Sequence, residues 1–174
     1  MLVKKSEGEN LMILPDILAE GLRVVFCGTA VGDVSAKRGA YYAGPGNRFW
    51  SILQETGLTP RKLEPEEFGE LLSHHIGLTD LAKKVSGSDS VIGVGHFDIS
   101  GFERKIKLAH PRVVAFNGKR AAQIYFGKPV TYGYQLRLIG RSAVFVLPST
   151  SGAARGYWQA DYWQELERFL RFKK

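Results

Sequence analysis

From Leu22 to Cys27 the chain is an apolar, β-branched run that stops at Gly28, a pattern that predicts a strand buried on both faces. The period then changes. Asn47 precedes RFWSILQETGL, in which Phe49, Trp50, Leu53 and Leu58 recur near helical spacing and Gly57 supplies a stop. Thr59-Pro60 followed by Glu64, Pro65, Glu66 and Glu67 predicts a capped helix running through FGELLSHH to Gly77, its acids near the positive end of the helix dipole. Residues 83–98, KKVSGSDSVIGVGHFD, are rich in Gly, Ser and Asp and predict a long loop of the functional or mobile kind. Beyond it come a helical ISGFERKIKLAH, a short buried strand RVVAF closed by Asn117-Gly118, and a helical KRAAQIYFG. Two further strands, QLRLIG and SAVFVLP, are separated by Arg141, and an amphipathic helix in GYWQADYWQELERFLRFKK closes the chain. This alternation predicts an α/β fold, a three-layer α/β/α sandwich with a mostly parallel central sheet.

Composition narrows the classes. At 174 residues and 44% hydrophobic content the chain suits one globular domain over 1–174, with the polar residues 1–10 frayed. No apolar run approaches the roughly 18 residues of a membrane span, and no leader pattern opens the chain, so a cytoplasmic protein is expected. The one cysteine, Cys27, lies inside a predicted strand, which leaves no disulfide framework and no iron–sulfur ligand set. His74, His75, His96 and His110 lack partners at metal-ligand spacing, so neither a metal nor another cofactor is expected. Against 17 acidic residues stand 24 Lys and Arg, a net charge of +7 without a long single-sign block. Such an excess spread over a folded surface suits a polyanion, nucleic acid foremost. No G-x-G-x-x-G or Walker lysine points to a nucleotide cofactor.

In open α/β sheets ligands bind beyond the carboxyl ends of the strands. Three predicted strand ends carry small or basic residues: GTAVGD after the first, NGKRA after the second and PSTSGAAR after the last. Their backbone N–H groups can approach an anion closely, and their side chains can contact phosphates.

The words LRVVFCG, GPGNRFW, GLTPRKLEPEE, HIGLTDL (75–81) and FVLPSTSGAAR (145–155) occur in order over nearly the whole chain from Leu14. In this the sequence resembles the mismatch-specific uracil-DNA and thymine-DNA glycosylases. The resemblance implies a monomeric, cofactor-free enzyme of uracil-DNA glycosylase-like fold that flips a damaged base out of DNA and cleaves its N-glycosidic bond. It implies a base pocket lined by Gly28, Thr29, Ala30, Tyr42, Phe49 and Ser149, with Tyr42 as the ring that stacks on the base. It implies DNA contacts from Lys119 and from an insertion loop of Ser151, Gly152, Ala153, Ala154 and Arg155. Relatives often carry a larger apolar wedge at the place of Ala153, so weaker discrimination of the opposite base and tolerance of single strands are expected here.

The sequence departs from the family at one catalytic word. Mismatch-specific members read GINPG after the first strand, and the Asn positions the attacking water; this chain reads 28-GTAVG-32, with Ala30 in its place. A methyl group cannot orient water. Asp33, Asn47 and Asp80 are the polar candidates for that role, with local alternatives as a helix or turn cap, a helix N-cap and a turn residue respectively.

Overall fold

The computed structural model describes residues 12–172; the segment 1–10, expected to be frayed, lies outside them. Strands β1 (Val24–Gly28), β2 (Ile76–Asp80), β3 (Val113–Asn117), β4 (Gly133–Ile139) and β5 (Ser142–Leu147) form one sheet in the order β2-β1-β3-β5-β4. All pairings are parallel except that of β4 with β5, a hairpin at the sheet edge. Helices α1 (Asp33–Arg38), α2 (Phe49–Glu55), α3 (Ile99–Ala109), α4 (Lys119–Phe126) and α5 (Asp161–Phe172), with 3₁₀ segments at Pro65–His74, Val94–His96 and Gly152–Tyr157, make up the rest. No helix among the described residues is long and apolar enough to cross a membrane.

Alternate strand residues feed two cores. Val24, Phe26, Val113, Ala115, Phe145 and Leu147 pack with Phe49 and Leu53 of α2 and with Trp163 and Leu166 of α5. Val25, Cys27, Val114, Phe116, Val144 and Val146 pack on the other face with Phe102 and Ile106 of α3 and Ala121 and Tyr125 of α4. The strands read as continuous apolar runs because both faces are covered, which gives the three-layer sandwich expected. At the edge, β4 buries Gly133 and Ile139 and exposes Tyr134, Leu136 and Leu138.

The helix expected up to Gly77 ends earlier. A 3₁₀ helix spans Pro65–His74, opened by a reciprocal Glu64–Glu67 capping box and stopped by His75 at φ 57°. From Ile76 the chain is β2, a strand the periodicity did not reveal. IGLTD carries a Gly, a Thr and an Asp, yet all five residues are buried, between β1 on one side and the bridge Ile17–Leu78 on the other. Gly77 is required by crowding: a Cβ there would stand 2.6 Å from the Ile17 carbonyl oxygen. This strand moves Asp80 from an exposed turn to a buried strand end, in register with Gly28.

Two buried indoles anchor the loops above the sheet. Trp50 Nε1 donates to the Tyr41 carbonyl and Trp163 Nε1 to that of Pro148, each at 3.1 Å. The segments carrying Tyr42 and Ser149 are thereby held from the core.

Candidate active site

Beyond the carboxyl ends of β1, β2, β3 and β5 the loops enclose a cleft of about 880 Å³. Its enclosed end is built from Gly28, Tyr42 and Asp80. Asp80 is only 3% exposed, and its Oδ2 and the Tyr42 hydroxyl are both buried without a hydrogen-bond partner among the described residues. Gly28 separates them: a Cβ at that position would stand 2.6 Å from Asp80 Oδ1 and 3.6 Å from the Tyr42 hydroxyl. Burial pushes the Asp80 carboxyl up to about 6; Lys83 opposes this, the Asp16 charge adds to it, and Lys105 and the Gly28 backbone pull it down. A carboxyl so placed changes charge close to neutrality, as a group doing proton chemistry needs to.

Tyr42 stacks on Phe49 with ring centroids 4.1 Å apart and an interplanar angle of 29°. Its backbone sits at φ 52°, a strained conformation for a non-glycine residue and one that aims the ring. Burial raises the Tyr42 phenol well above its ordinary range and the Asp80 charge adds to the rise; the Asn117 side chain, close to the hydroxyl but bonded to Thr150 and forming no well-aligned hydrogen bond with the phenol, acts against it. Phe49, placed by the resemblance among the pocket residues, is fully buried and does not line the cleft; it braces Tyr42 from behind.

The other two water-positioning candidates are differently employed. Asn47 borders the cleft, and its Oδ1 accepts the Phe49 backbone N–H at 3.0 Å, a turn that leads the chain into α2. Asp33 is exposed at the start of α1 and accepts from Ser86 Oγ at 2.9 Å. Ala30 lies half-buried in the cleft wall. The long segment after β2 folds back over this side: Gly87 N–H donates to the Val31 carbonyl at 2.9 Å, and Thr29 Oγ1 donates to Asp89.

On the opposite side, Asn117 ends β3 and grips Thr150 twice, Nδ2 donating to Oγ1 at 2.9 Å and Oδ1 accepting the Thr150 backbone N–H at 3.0 Å. Ser149 Oγ accepts the Ser151 N–H, and Ser151 Oγ accepts that of Ala153, opening the 3₁₀ turn Gly152–Tyr157. Gly152 packs on the Pro45 carbonyl so closely that a Cβ would stand 2.9 Å from it. Ala153 and Arg155 are exposed, Ala154 is half-buried, and Lys119 Nζ lies 4.2 Å from the centre of the Tyr132 ring. Lys119, Arg120 and Arg155 thus stand on the β3–β5 side of the cleft and Asp33, Asp80 and Asp89 on the β1–β2 side. No group of three His, Cys, Asp or Glu among the described residues is placed to hold a metal ion.

Asn117, Thr150, Asp89 and Tyr157 line the cleft without having been singled out from the sequence. Asn117 was visible only as a turn residue before Gly118; its side-chain grip depends on β3 and β5 being neighbours. Asn117→Ala is expected to destabilise the fold by about 1–3 kcal/mol by orphaning the Thr150 amide. Hydrogen exchange checks this: the amides of Thr150–Ala154 should exchange faster while those of β1 and β3 keep their protection.

A mostly parallel sheet whose strand ends carry a buried polar pocket, with cations along one rim, is an arrangement in which α/β proteins bind ligands and in which those cations can meet phosphates. The uracil DNA glycosylase superfamily matches the chain over residues 15–171, and the chain belongs to that superfamily. Among solved structures it is similar to the solution structure of "a putative Uracil DNA glycosylase from Methanosarcina acetivorans", with 26% identity, a TM-score of 0.61, and coverage of 91% of this chain and 96% of that one. The protein is therefore a DNA glycosylase by family, with DNA as the polymer that family acts on.

Proposed function

We propose that the protein is a monofunctional uracil-DNA glycosylase of the mismatch-specific and thymine-DNA glycosylase kind. It works as a cytoplasmic monomer without a cofactor, flips uracil from U:G mispairs, and also from U:A pairs and single strands, and hydrolyses the N-glycosidic bond to leave an abasic site. The observation that carries this reading is the pair of unpartnered polar groups, Asp80 Oδ2 and the Tyr42 hydroxyl, at the enclosed end of the cleft. Each unsatisfied buried group costs about 1–3 kcal/mol, a cost that a bound base edge or an ordered water relieves.

In this reading the extruded base lies against the Tyr42 ring, which Phe49 holds in place, and its edge meets Thr29 and Ser149. The N1–C1′ bond breaks with its electron pair leaving on uracil N1, and positive charge grows on the sugar. Ionised Asp80 stabilises that charge and orients the water whose oxygen bonds to C1′. The water's proton passes to the Asp80 carboxylate and from there to solvent. Ala30 takes no part, so the water-positioning role moves from β1 to the neighbouring strand. Asn47 and Asp33 stay in supporting places, the one capping the turn beside the sugar and the other on the rim. Lys119, Arg155 and the backbone of Ser151–Ala154 hold the phosphates while flipping takes up a few kcal/mol of unstacking.

A second reading, excision of hypoxanthine, is favoured by one feature: the cleft wall at position 30 carries only the alanine methyl, which leaves more room beside a base than the family's asparagine would. Single-turnover assays with excess protein on uracil opposite guanine, uracil opposite adenine, single-stranded uracil and hypoxanthine decide between them. The proposal expects alkali-labile sites on all three uracil substrates, fastest opposite guanine, and no strand breaks before alkali. Faster release of hypoxanthine would favour the second reading. Tight retention of uracil DNA without cleavage would mean a lesion-binding module instead.

A further inference from the structure

Beside β2, on the side away from β1, stands a group of charges that base excision as described does not use. The bridge Ile17–Leu78 brings Asp16 there. Asp16 Oδ1 accepts from Thr79 Oγ1 at 2.7 Å and pairs with Lys83 Nζ at 3.0 Å, while Oδ2 pairs with Lys105 Nζ at 2.6 Å. Side-chain exposures are 13% for Asp16, 10% for Lys83 and 30% for Lys105. Lys83 Nζ also donates to the Tyr41 hydroxyl at 2.8 Å, and that hydroxyl donates to the Pro15 carbonyl at 3.0 Å. Two ammonium groups share one carboxylate, so the cluster keeps one positive charge in excess. Asp80, the residue after Thr79, is a buried carboxylate with an unpartnered oxygen.

We infer that Lys83 is a positioning residue for the base cleft: its single ammonium ties down Tyr41, the neighbour of the stacking ring, and supplies the surplus positive charge that lets Asp80 ionise where it is buried. The link to Tyr42 is short. Tyr41 and Tyr42 are consecutive, their rings 6.0 Å apart, and Tyr42 holds a strained backbone that loosening of Tyr41 would release.

Among the described residues, the groups that act most strongly on Asp80 are few. Lys83 follows it on the chain, Lys105 comes from α3, Asp16 from the N-terminal segment and Cys27 from β1, and the phenols of Tyr41 and Tyr42 close the set. Burial pushes the Cys27 thiol and both phenols up, so they stay neutral over the pH range in which Asp80 titrates. Among the described residues the leading charges that act on Asp80 are then two lysines and one aspartate, and removing Lys83 takes their sum from positive to zero. The Asp16–Lys105 pair does not involve Lys83.

The test is the titration of the Asp80 side-chain carbonyl carbon by ¹³C NMR in the whole chain, wild type against Lys83→Met, Lys83→Gln and Lys83→Arg. Lys83→Met and Lys83→Gln are expected to move the midpoint upward by ~1 pH unit, the size of shift a neighbouring opposite charge produces. Lys83→Gln retains a donor for Tyr41 and Asp16, which keeps the test open if the methionine variant folds poorly. Lys83→Arg should leave the midpoint in place. An unmoved Asp80 midpoint in a folded Lys83→Gln protein would overturn the inference. The consequence for rate rests on the uracil-excision reading: the acid limb of the pH–rate profile should move up by the same amount. Absence of excision from the wild type, with the carboxyl shift present, would count against that reading and leave the role of Lys83 supported.

Discussion

Asp80→Asn is expected to abolish most of the excision activity while making the protein more stable at alkaline pH. Both effects come from one buried oxygen. Asparagine has the shape of the neutral carboxylic acid, so the pocket beside Gly28 still closes, but it can neither carry charge nor take a proton from water. In the proposed mechanism Asp80 is the positioned general base, and its removal implies a loss on the order of 10²-fold or more in single-turnover rate. The stability effect follows from linkage. The folded carboxyl titrates at about 6 against an ordinary value of 3.8, so its charged form is disfavoured by folding. Below the unfolded value both states hold the proton and no penalty exists; as the pH rises through the folded value the penalty is felt in full. A shift of about two units corresponds to about 3 kcal/mol, since one unit is about 1.4 kcal/mol. Urea unfolding should show wild type and variant matched near pH 4 and the variant about 2–3 kcal/mol more stable at pH 8. Equal stability at pH 8 would mean that Asp80 is not strained by its charge.

Asp16→Asn should act in the opposite sense and be among the most damaging polar substitutions in the molecule. Burial by itself would raise the Asp16 carboxyl, but the charge of Lys83 and the hydrogen bonds from Lys105 and Thr79 outweigh it and hold the group below its ordinary range. Substitution leaves the nearly enclosed Lys83 and the partly exposed Lys105 with no carboxylate between them. Breaking a buried pair in this way costs about 3–5 kcal/mol, because the remaining charge keeps its desolvation penalty. The pH dependence carries a checkable sign. Stability from a depressed carboxyl is present above its unfolded value and is lost as pH falls through the folded one. The gap between wild type and Asp16→Asn should therefore be full at pH 7 and shrink below the ordinary value of 3.8. A gap that persists unchanged at pH 2 would point to lost packing rather than lost charge.

The architecture was legible because β1, β3 and β5 are covered on both faces and announce it as unbroken apolar runs, and because α2 and α5 keep their helical periods. The loops expected at the carboxyl edge do meet there, since parallel strands give them no other place. β2 was not legible: with Gly77, Thr79 and Asp80 among five residues, its burial comes from β1 and Ile17, neither of them adjacent in sequence. The same omission hid the character of Asp80, which stands beside Gly28 only through the register of β1 with β2. Phe49 was readable as an aromatic beside the cleft, but whether a ring faces a ligand or backs another ring depends on the turn at Tyr42. The cluster around Asp16 joins residues up to 89 positions apart in sequence, and nothing in local pattern pairs them.

The most direct test of the account is the pH dependence of uracil release from a U:G duplex by the unmodified protein, measured in single turnover between pH 5 and pH 8 with the free base detected by mass spectrometry. Free uracil and an abasic strand are expected, formed at a rate that rises through one ionisation near pH 6, to which burial pushes the Asp80 carboxyl. Duplex bound at every pH with no uracil released at any of them would contradict this expectation.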